Sequence, residues 1–506
     1  MWARALSSLS VVRLSDARVK SDEFEPVEDA LGTFPVKAVR SFRARGESYM
    51  NTVAAKLPAR LATSTKAGFG VGQVAGQLFR DAPSLLLMFY LTNVMGVAPA
   101  IAGTAIFVPK VFFSLVFDLW IGVASDRLAP RFPRRRWLLV GGLAAPFAML
   151  GVFAVPEASM TFQVAWVFVT FSAYMAVYST FSVPYLAQFS EMSSDPAERT
   201  ELMGWKHAFT GLGVLMSSSV APMAVNALGT DRPAYLITMS LIGIICLVCL
   251  LVAWRFAARI PEPAEVATPL AARDLPRAFS DRRFMILCLS AIVMTVAAGI
   301  SYASFPFFVK YAMARQEPLH DIGVMSAIMA FAVMGGSPLW VMVSKRLGKK
   351  LTYVLAAAGH GLVTLVWGYL PDAPIEVAYG LAGLMAACNA GWGTIVLSLL
   401  SDSIAAARDD YGENRAGSYS AIWSIIEKAG IALGGTLIVG LILSAFGFDA
   451  AAASAGMPQS PRALAGIIVS YSTVPGIAKL VAAVMIWRYV HEHPSNSQGG
   501  ATPAHA

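Results

Sequence analysis

Two charges stand inside one apolar stretch. Residues 415–440, RAGSYSAIWSIIEKAGIALGGTLIVG, have the length and composition of a membrane-crossing helix, and Glu427 and Lys428 fall near the middle. At a rise of 1.5 Å per residue they lie about 18 Å from Arg415, deep within a hydrocarbon core of about 30 Å. An ionised side chain at that depth costs about 2.5–3.5 kcal/mol, so it faces a bundle interior or a wet cavity. Ser420, Ser424 and Lys428 share one face at i, i+4, i+8, and Tyr419, Trp423 and Glu427 form a second stripe about 100° away. Adjacent residues point in different directions, so the two charges do not neutralise each other. Each needs its own partner or a wet space. The pair either ties neighbouring helices together or belongs to a substrate or ion pathway.

Other apolar stretches carry matching polar faces. In the first, Gln73, Gln77, Arg80, Asp81 and Ser84 recur at i, i+4, i+7, i+8, i+11, which reads as a buried ion pair or as ligands for a polar substrate. The second offers Lys110, Ser114 and Asp118 at i, i+4, i+8, running on to Gly122 and Asp126. Asp118, about two turns from the end of its stretch, has three uses open to it: to hold a cation, to pair with Lys428, or to take up a proton. Tyr178, Ser182 and Tyr185 line one side of the fourth stretch, and Lys206 and His207 open the fifth, with Lys206 either facing a cavity or snorkelling to the interface. His360 reads as a satisfied core histidine. The tenth stretch adds Asn389 and Trp392.

The elements that must position these residues follow from composition. A chain of 506 residues that is 56% hydrophobic and 14% charged is an all-α polytopic membrane protein. The formal charge of +8 sits in short loops rather than on one basic patch, so it marks topology and not nucleic-acid binding. Cys246, Cys249, Cys288 and Cys388 all fall in apolar segments, as buried small hydrophobes do. Twelve helices are expected, at 69–93, 98–125, 136–155, 160–190, 201–226, 232–257, 284–313, 321–344, 350–370, 375–404, 416–446 and 463–489. The even-numbered loops are basic: Arg127, Arg131 and Arg134–Arg136 follow the second helix, and Lys345, Arg346, Lys349 and Lys350 follow the eighth. The opposite loops have hardly any Lys or Arg, which predicts both termini on the cytoplasmic side of the membrane. Residues 258–283, rich in Pro, Ala and charge, divide six helices (67–257) from six (284–490). Residues 1–66 read as a weakly ordered extension, with Met50 an alternative start, and 491–506 as a tail.

The loop sequence GVASDRLAPRFPRRR resembles the signature between the second and third helices of the major facilitator superfamily; it contains Gly122, Asp126 and Arg127. GFGVGQVAG, FYLTNVMG, FDLWIGVASDR, FSVPYLAQF, ERTELMGWKHAF and DDYGENRAGSYSAIWSIIEKAGIALGG together resemble the glycoside-pentoside-hexuronide:cation symporters, the melibiose-permease-like family, over about 66–490. The resemblance implies the major facilitator fold of two six-helix halves. It also implies a cation site in which Asp118 keeps one family carboxylate, Lys428 the nearby lysine and Ser179 the hydroxyl. Ser114 stands where the family has a second carboxylate, and Phe117 where it has an amide. For the sugar clamp, Gln77 and Ser182 stand at the two aspartate positions and Lys206 keeps the basic one.

The expected function is cation-coupled uptake of a sugar or glycoside by alternating access, by a monomer embedded in a lipid bilayer, with no tightly bound cofactor. The substrate-lining set is Gln77, Arg80, Asp81, Tyr178, Ser182, Lys206, Trp392, Trp423 and Glu427, in a cavity between the halves. A proton is the expected coupling ion and sodium the alternative, because Ser114 and Phe117 leave too few oxygens for a sodium cage. Since a vertebrate lysophospholipid transporter belongs to the same broad family, a lysolipid or glycolipid is the alternative substrate. A membrane enzyme or sensor is the distant one: the sequence has no metal-ligand cluster, nucleophile elbow or phosphate loop. Residues 1–49, outside the resemblance, are expected to be dispensable for transport.

Overall fold

The computed structural model describes residues 61–128, 131–192, 196–258, 282–411 and 416–489. The 1–60 extension, most of the 258–283 linker and the tail lie outside the described residues, as do the side chains of Asp126, Ser420 and Ser424. Among the described residues the chain forms twelve long helical rods and a short helix, Ala450–Ser454. In chain order the rods are α1 (63–93), α2 (99–128), α3 (Arg134–Phe153), α4 (Met160–Glu191), α5 (196–228) and α6 (Arg232–Ala257), then α7 (282–312), α8 (Pro318–Leu347), α9 (Lys349–Gly368), α10 (Ile375–Tyr411), α11 (416–445) and α12 (461–489). A helix closes its backbone hydrogen bonds within itself, which is what an apolar segment needs where there is no water to serve them.

Eleven of the described helices are long and apolar enough to cross a membrane. The twelfth rod, α1, falls short because Gln73, Gln77, Arg80 and Asp81 occupy one of its faces. It also begins at Thr63, earlier than the expected 67–69. Lys66 accounts for the extra turn: it is buried, donates to Glu201 at 2.7 Å and lies 3.0 Å from Glu198, both on α5.

Packing divides the interior into three. The largest apolar cluster runs through both halves at one end of the bundle, joining Phe89, Met95 and Val225 to Phe307, Ile322 and Leu443. At the other end each half keeps its own cluster, around Leu138, Tyr185 and Ala253 in one and around Phe284, Tyr419 and Ile486 in the other. Several hydrogen bonds joining the halves lie at the shared end. Ala100 N donates to Ser444 Oγ at 2.9 Å, Lys310 Nζ to Asn93 Oδ1 at 3.3 Å, and Tyr311 OH to the same amide oxygen. Phe89 and Phe307 meet edge to face at 5.3 Å. Two glycines let the α2 and α11 backbones touch there: a Cβ on Gly103 would meet the Thr436 carbonyl, and one on Gly440 the Pro99 carbonyl, closer than real Cβ atoms come. The bundle is therefore shut at this end.

The second half holds a buried polar cluster. Lys479 of α12, 1% exposed, lies 2.9 Å from His360 Nε2 and donates to Thr364 Oγ1 at 3.0 Å and Ser301 Oγ at 3.4 Å. Among the described residues no carboxylate pairs with it. His360 is thus a core residue with a partner at Nε2, a lysine 119 residues away, but it is not the fully satisfied histidine expected: its Nδ1 is buried with no hydrogen-bond partner among the described residues. Replacing His360 with leucine leaves a buried ammonium without its imidazole acceptor, a loss of about 1.5–3 kcal/mol for a hydrogen bond to a charged group. Thermal unfolding in detergent is expected to fall accordingly, and His360→Leu/Lys479→Met to recover part of it by removing the charge as well. A single variant as stable as the parent would contradict this reading of the cluster.

Candidate functional site

α2 is not one continuous α-helix. Pro109–Phe113 widen to a π-helical turn between Pro99–Val108 and Ser114–Leu128. The extra residue in such a turn rotates everything after it. The even stripe Lys110, Ser114, Asp118 is split as a result: Lys110 Nζ donates to Ser84 Oγ of α1 at 2.8 Å, whereas Asp118 faces α4 and α11.

Asp118 is held from both halves. Ser179 Oγ of α4 donates to Oδ1 at 2.6 Å, and Lys428 Nζ of α11 donates to Oδ2 at 3.0 Å. Ser179 is fully buried, Asp118 is 17% exposed and Lys428 61% exposed. Each carboxylate oxygen thus has one partner, a fixed one in its own half and a solvated one across the divide. Ser114, one turn before Asp118, is half-buried and makes no hydrogen bond with its side chain among the described residues. Phe117 stacks on Phe113 at 6.2 Å and contributes a ring rather than an oxygen.

The polar face of α1 forms a ladder. Gln73 Nε2 donates to Gln77 Oε1 at 3.4 Å, Gln77 Nε2 to Asp81 Oδ2 at 3.2 Å, and Arg80 Nε to Asp81 Oδ1 at 2.7 Å. Arg80 is 52% exposed although it lies mid-helix. With the shared end shut, water reaches Arg80 and Lys428 from the end where the two halves keep separate cores. Glu427 is exposed, has no hydrogen bond or ion pair among the described residues, and stands close enough for its charge to act on Arg80 across the halves. Tyr178 lies between the two groups, within electrostatic reach of Arg80, Asp81, Asp118 and Lys428, with its ring 6.0 Å from that of Phe79. Arg80, Asp81, Tyr178, Glu427, Asp118, Ser179 and Lys428 therefore form one polar region at the meeting of α1, α2, α4 and α11.

The other expected lining residues join it only in part. Gln77 bonds Asp81 but is itself 4% exposed, wedged under α5 where a Cβ on Gly213 would collide with it. Trp423 is 7% exposed and belongs to the core of the second half, beside Tyr419. Trp392 packs against that core too, and its Nε1 donates to Tyr353 OH at 3.0 Å. Ser182 and Lys206 are half-buried, and His207 is exposed. At the open end of α2, Gly122 is half-buried, its carbonyl accepts from Ser125 Oγ at 2.9 Å, and Arg127 is exposed. Sequence reasoning missed two groups. Lys479 is the only charged residue between Arg462 and Arg488, a signal as strong as the one at Lys428. Lys310 and Tyr311 sit at a helix end, where a lysine and a tyrosine are ordinary and give no signal.

Residues 68–491 match the family model described as MFS/sugar transport protein. An uncharacterised symporter of Bacillus subtilis is 26% identical over 430 residues, covering 83% of this chain and 90% of that one. A glucuronide carrier protein homologue of Escherichia coli is 25% identical over 453 residues, covering 85% and 93%. The solved nucleoside transporter NupG superposes with a TM-score of 0.59 at 12% identity, covering 84% of this chain and 98% of that one, a likeness of fold. With the family model matching most of its length and with the two-half, twelve-rod architecture it requires, the chain belongs to the MFS/sugar transport protein family and is a membrane transporter rather than an enzyme.

Proposed function

We propose that the protein is a cation-coupled symporter that takes up a sugar or glycoside, with Asp118, Ser179 and Lys428 as the coupling site. The observation that carries the reading is that one carboxylate is shared by the two halves. Protonation of Asp118 removes the negative charge that holds Lys428, so ion occupancy changes which arrangement of the halves is preferred. A proton fits this donor set better than sodium, because the described face offers one carboxylate, Asp118, and the hydroxyls of Ser179 and Ser114, with rings at Phe113 and Phe117. Substrate meets Arg80, Asp81, Tyr178 and Glu427, whose mixture of donors and acceptors suits a polyhydroxylated molecule. The working unit is a monomer in the inner membrane, its termini and the open end both on the cytoplasmic side.

A ligand screen tests the substrate class. Purified protein is heated with mono- and disaccharides, uronides, glycosides and lysolipids, a ligand at a hundred times its Kd stabilising by about 2.7 kcal/mol. A sugar, uronide or glycoside is expected to raise the unfolding temperature. A shift with lysolipids alone would replace the reading with lipid transport.

A further inference from the structure

Where α3 begins, Phe132, Arg135, Arg136, Leu139, Val140 and Trp254 line a cleft of about 350 Å³ between α3 and α6. It is far from Asp118 in character: one end is cationic and the rest apolar. The Arg136 guanidinium lies 5.7 Å from the Phe132 ring centroid, and its NH1 donates to the Arg131 carbonyl at 3.5 Å. Neither Arg135 nor Arg136 has a carboxylate in ion-pair range among the described residues. Beyond the cleft both helices continue as exposed apolar stripes, Val140, Leu143 and Phe147 on α3 and Val248, Ile244 and Leu241 on α6. From Arg135 to Phe147 the helix rises about 18 Å, close to the length of an acyl chain.

We propose that this cleft binds an anionic phospholipid, with the phosphate between Arg135 and Arg136, the glycerol region against Trp254 and Phe132, and one acyl chain along α3 and α6. Both arginines line the cleft, a guanidinium matches a phosphate, and a tryptophan at the level of the headgroups is suited to a surface that is half wet and half apolar. The apolar continuation selects a lipid over a soluble anion, which would leave Leu139 and Val140 without a partner. The cleft uses none of the residues assigned to transport.

The test uses full-length protein, stripped of lipid in detergent and titrated with phosphatidylglycerol or with phosphatidylcholine of the same chains, bound lipid being counted by native mass spectrometry. Phosphatidylglycerol is expected to bind at least tenfold more tightly, and Arg135→Gln/Arg136→Gln to remove most of that preference. Arg127, Arg131 and Arg134 remain in the double variant, so the basic loop that orients the helices is retained. If it cannot be purified, Arg136→Gln alone is expected to weaken phosphatidylglycerol binding several-fold and leave phosphatidylcholine binding unchanged. Equal binding of the two lipids, or an undiminished preference in the variants, would overturn the proposal. So would inorganic phosphate that binds with the same arginine dependence as the lipid.

Discussion

Lys428→Ala is expected to abolish gradient-driven accumulation of substrate while the protein still inserts and folds. Its side chain is 61% exposed, so its loss opens no hole in the core. What is lost is the bond at 3.0 Å that joins Asp118 to the opposite half. Asp118 keeps Ser179 at 2.6 Å and remains ordered within its own half. A hydrogen bond between charged groups contributes about 1.5–3 kcal/mol, and that contribution is screened here by solvent at the lysine. Discounted for that screening to about 1 kcal/mol, it is still about a fivefold change in the balance between two arrangements of the halves. Accumulation depends on that balance following the ion, whereas exchange of substrate at equal concentration does not. Counterflow in proteoliposomes is expected to survive while accumulation fails. Undiminished accumulation would show that the pair is architectural.

Gly103→Ala is expected to shift the protein away from the arrangement described here. The added methyl meets the Thr436 carbonyl, a backbone atom on the opposite helix that no rotamer change can move. Gly440 makes the reciprocal approach to the Pro99 carbonyl, so α2 and α11 separate as whole helices, stretching the bond from Ala100 N to Ser444 Oγ. Overpacking of this kind costs about 1–3 kcal/mol. The population of the alternative arrangement, parted at this end, rises about 5-fold to 150-fold. A cysteine replacing Tyr311, which bonds across the seam to Asn93, reports it. Its reaction with a membrane-impermeant thiol reagent is expected to quicken at least about fivefold in the Gly103→Ala background. An unchanged rate would mean that the seam yields without cost.

Much of this was legible in the sequence, for a physical reason that also marks where legibility stops. Apolar runs of membrane length leave a chain little choice but helix, so every expected rod is present, though polar ends run past the expected bounds: the first rod begins at Thr63 rather than 69 and the tenth ends at Tyr411 rather than 404. A charge in such a run is expensive, which drew notice to Asp118 and Lys428 and made their pairing one of three uses open to Asp118, the one the structure shows. Ser179 carried no such signal. Among Tyr178, Thr180 and Ser182 it is one hydroxyl of several, and only the family resemblance pointed to it. Helical spacing misled at two places. The Lys110–Ser114–Asp118 stripe assumed 3.6 residues per turn through a segment that contains a π-helical turn. Trp423 and Glu427 do share a face, but that face leaves the core of the second half within one turn, so the tryptophan is packed and the glutamate exposed. Spacing gives direction, while burial depends on which helices flank a given level. The Lys479–His360 contact spans 119 residues, and no local pattern could have paired them.

The central claim is that Asp118 couples a cation to substrate movement, and it is tested most directly in proteoliposomes loaded with neither substrate nor gradient. With a sugar or glycoside from the ligand screen supplied outside, an imposed inward pH gradient is expected to drive accumulation that a protonophore abolishes and that Asp118→Asn lacks. A sodium gradient at fixed pH is expected to drive none. Accumulation on sodium alone would contradict the assignment of the ion, and accumulation by Asp118→Asn equal to that of the parent would contradict the site itself.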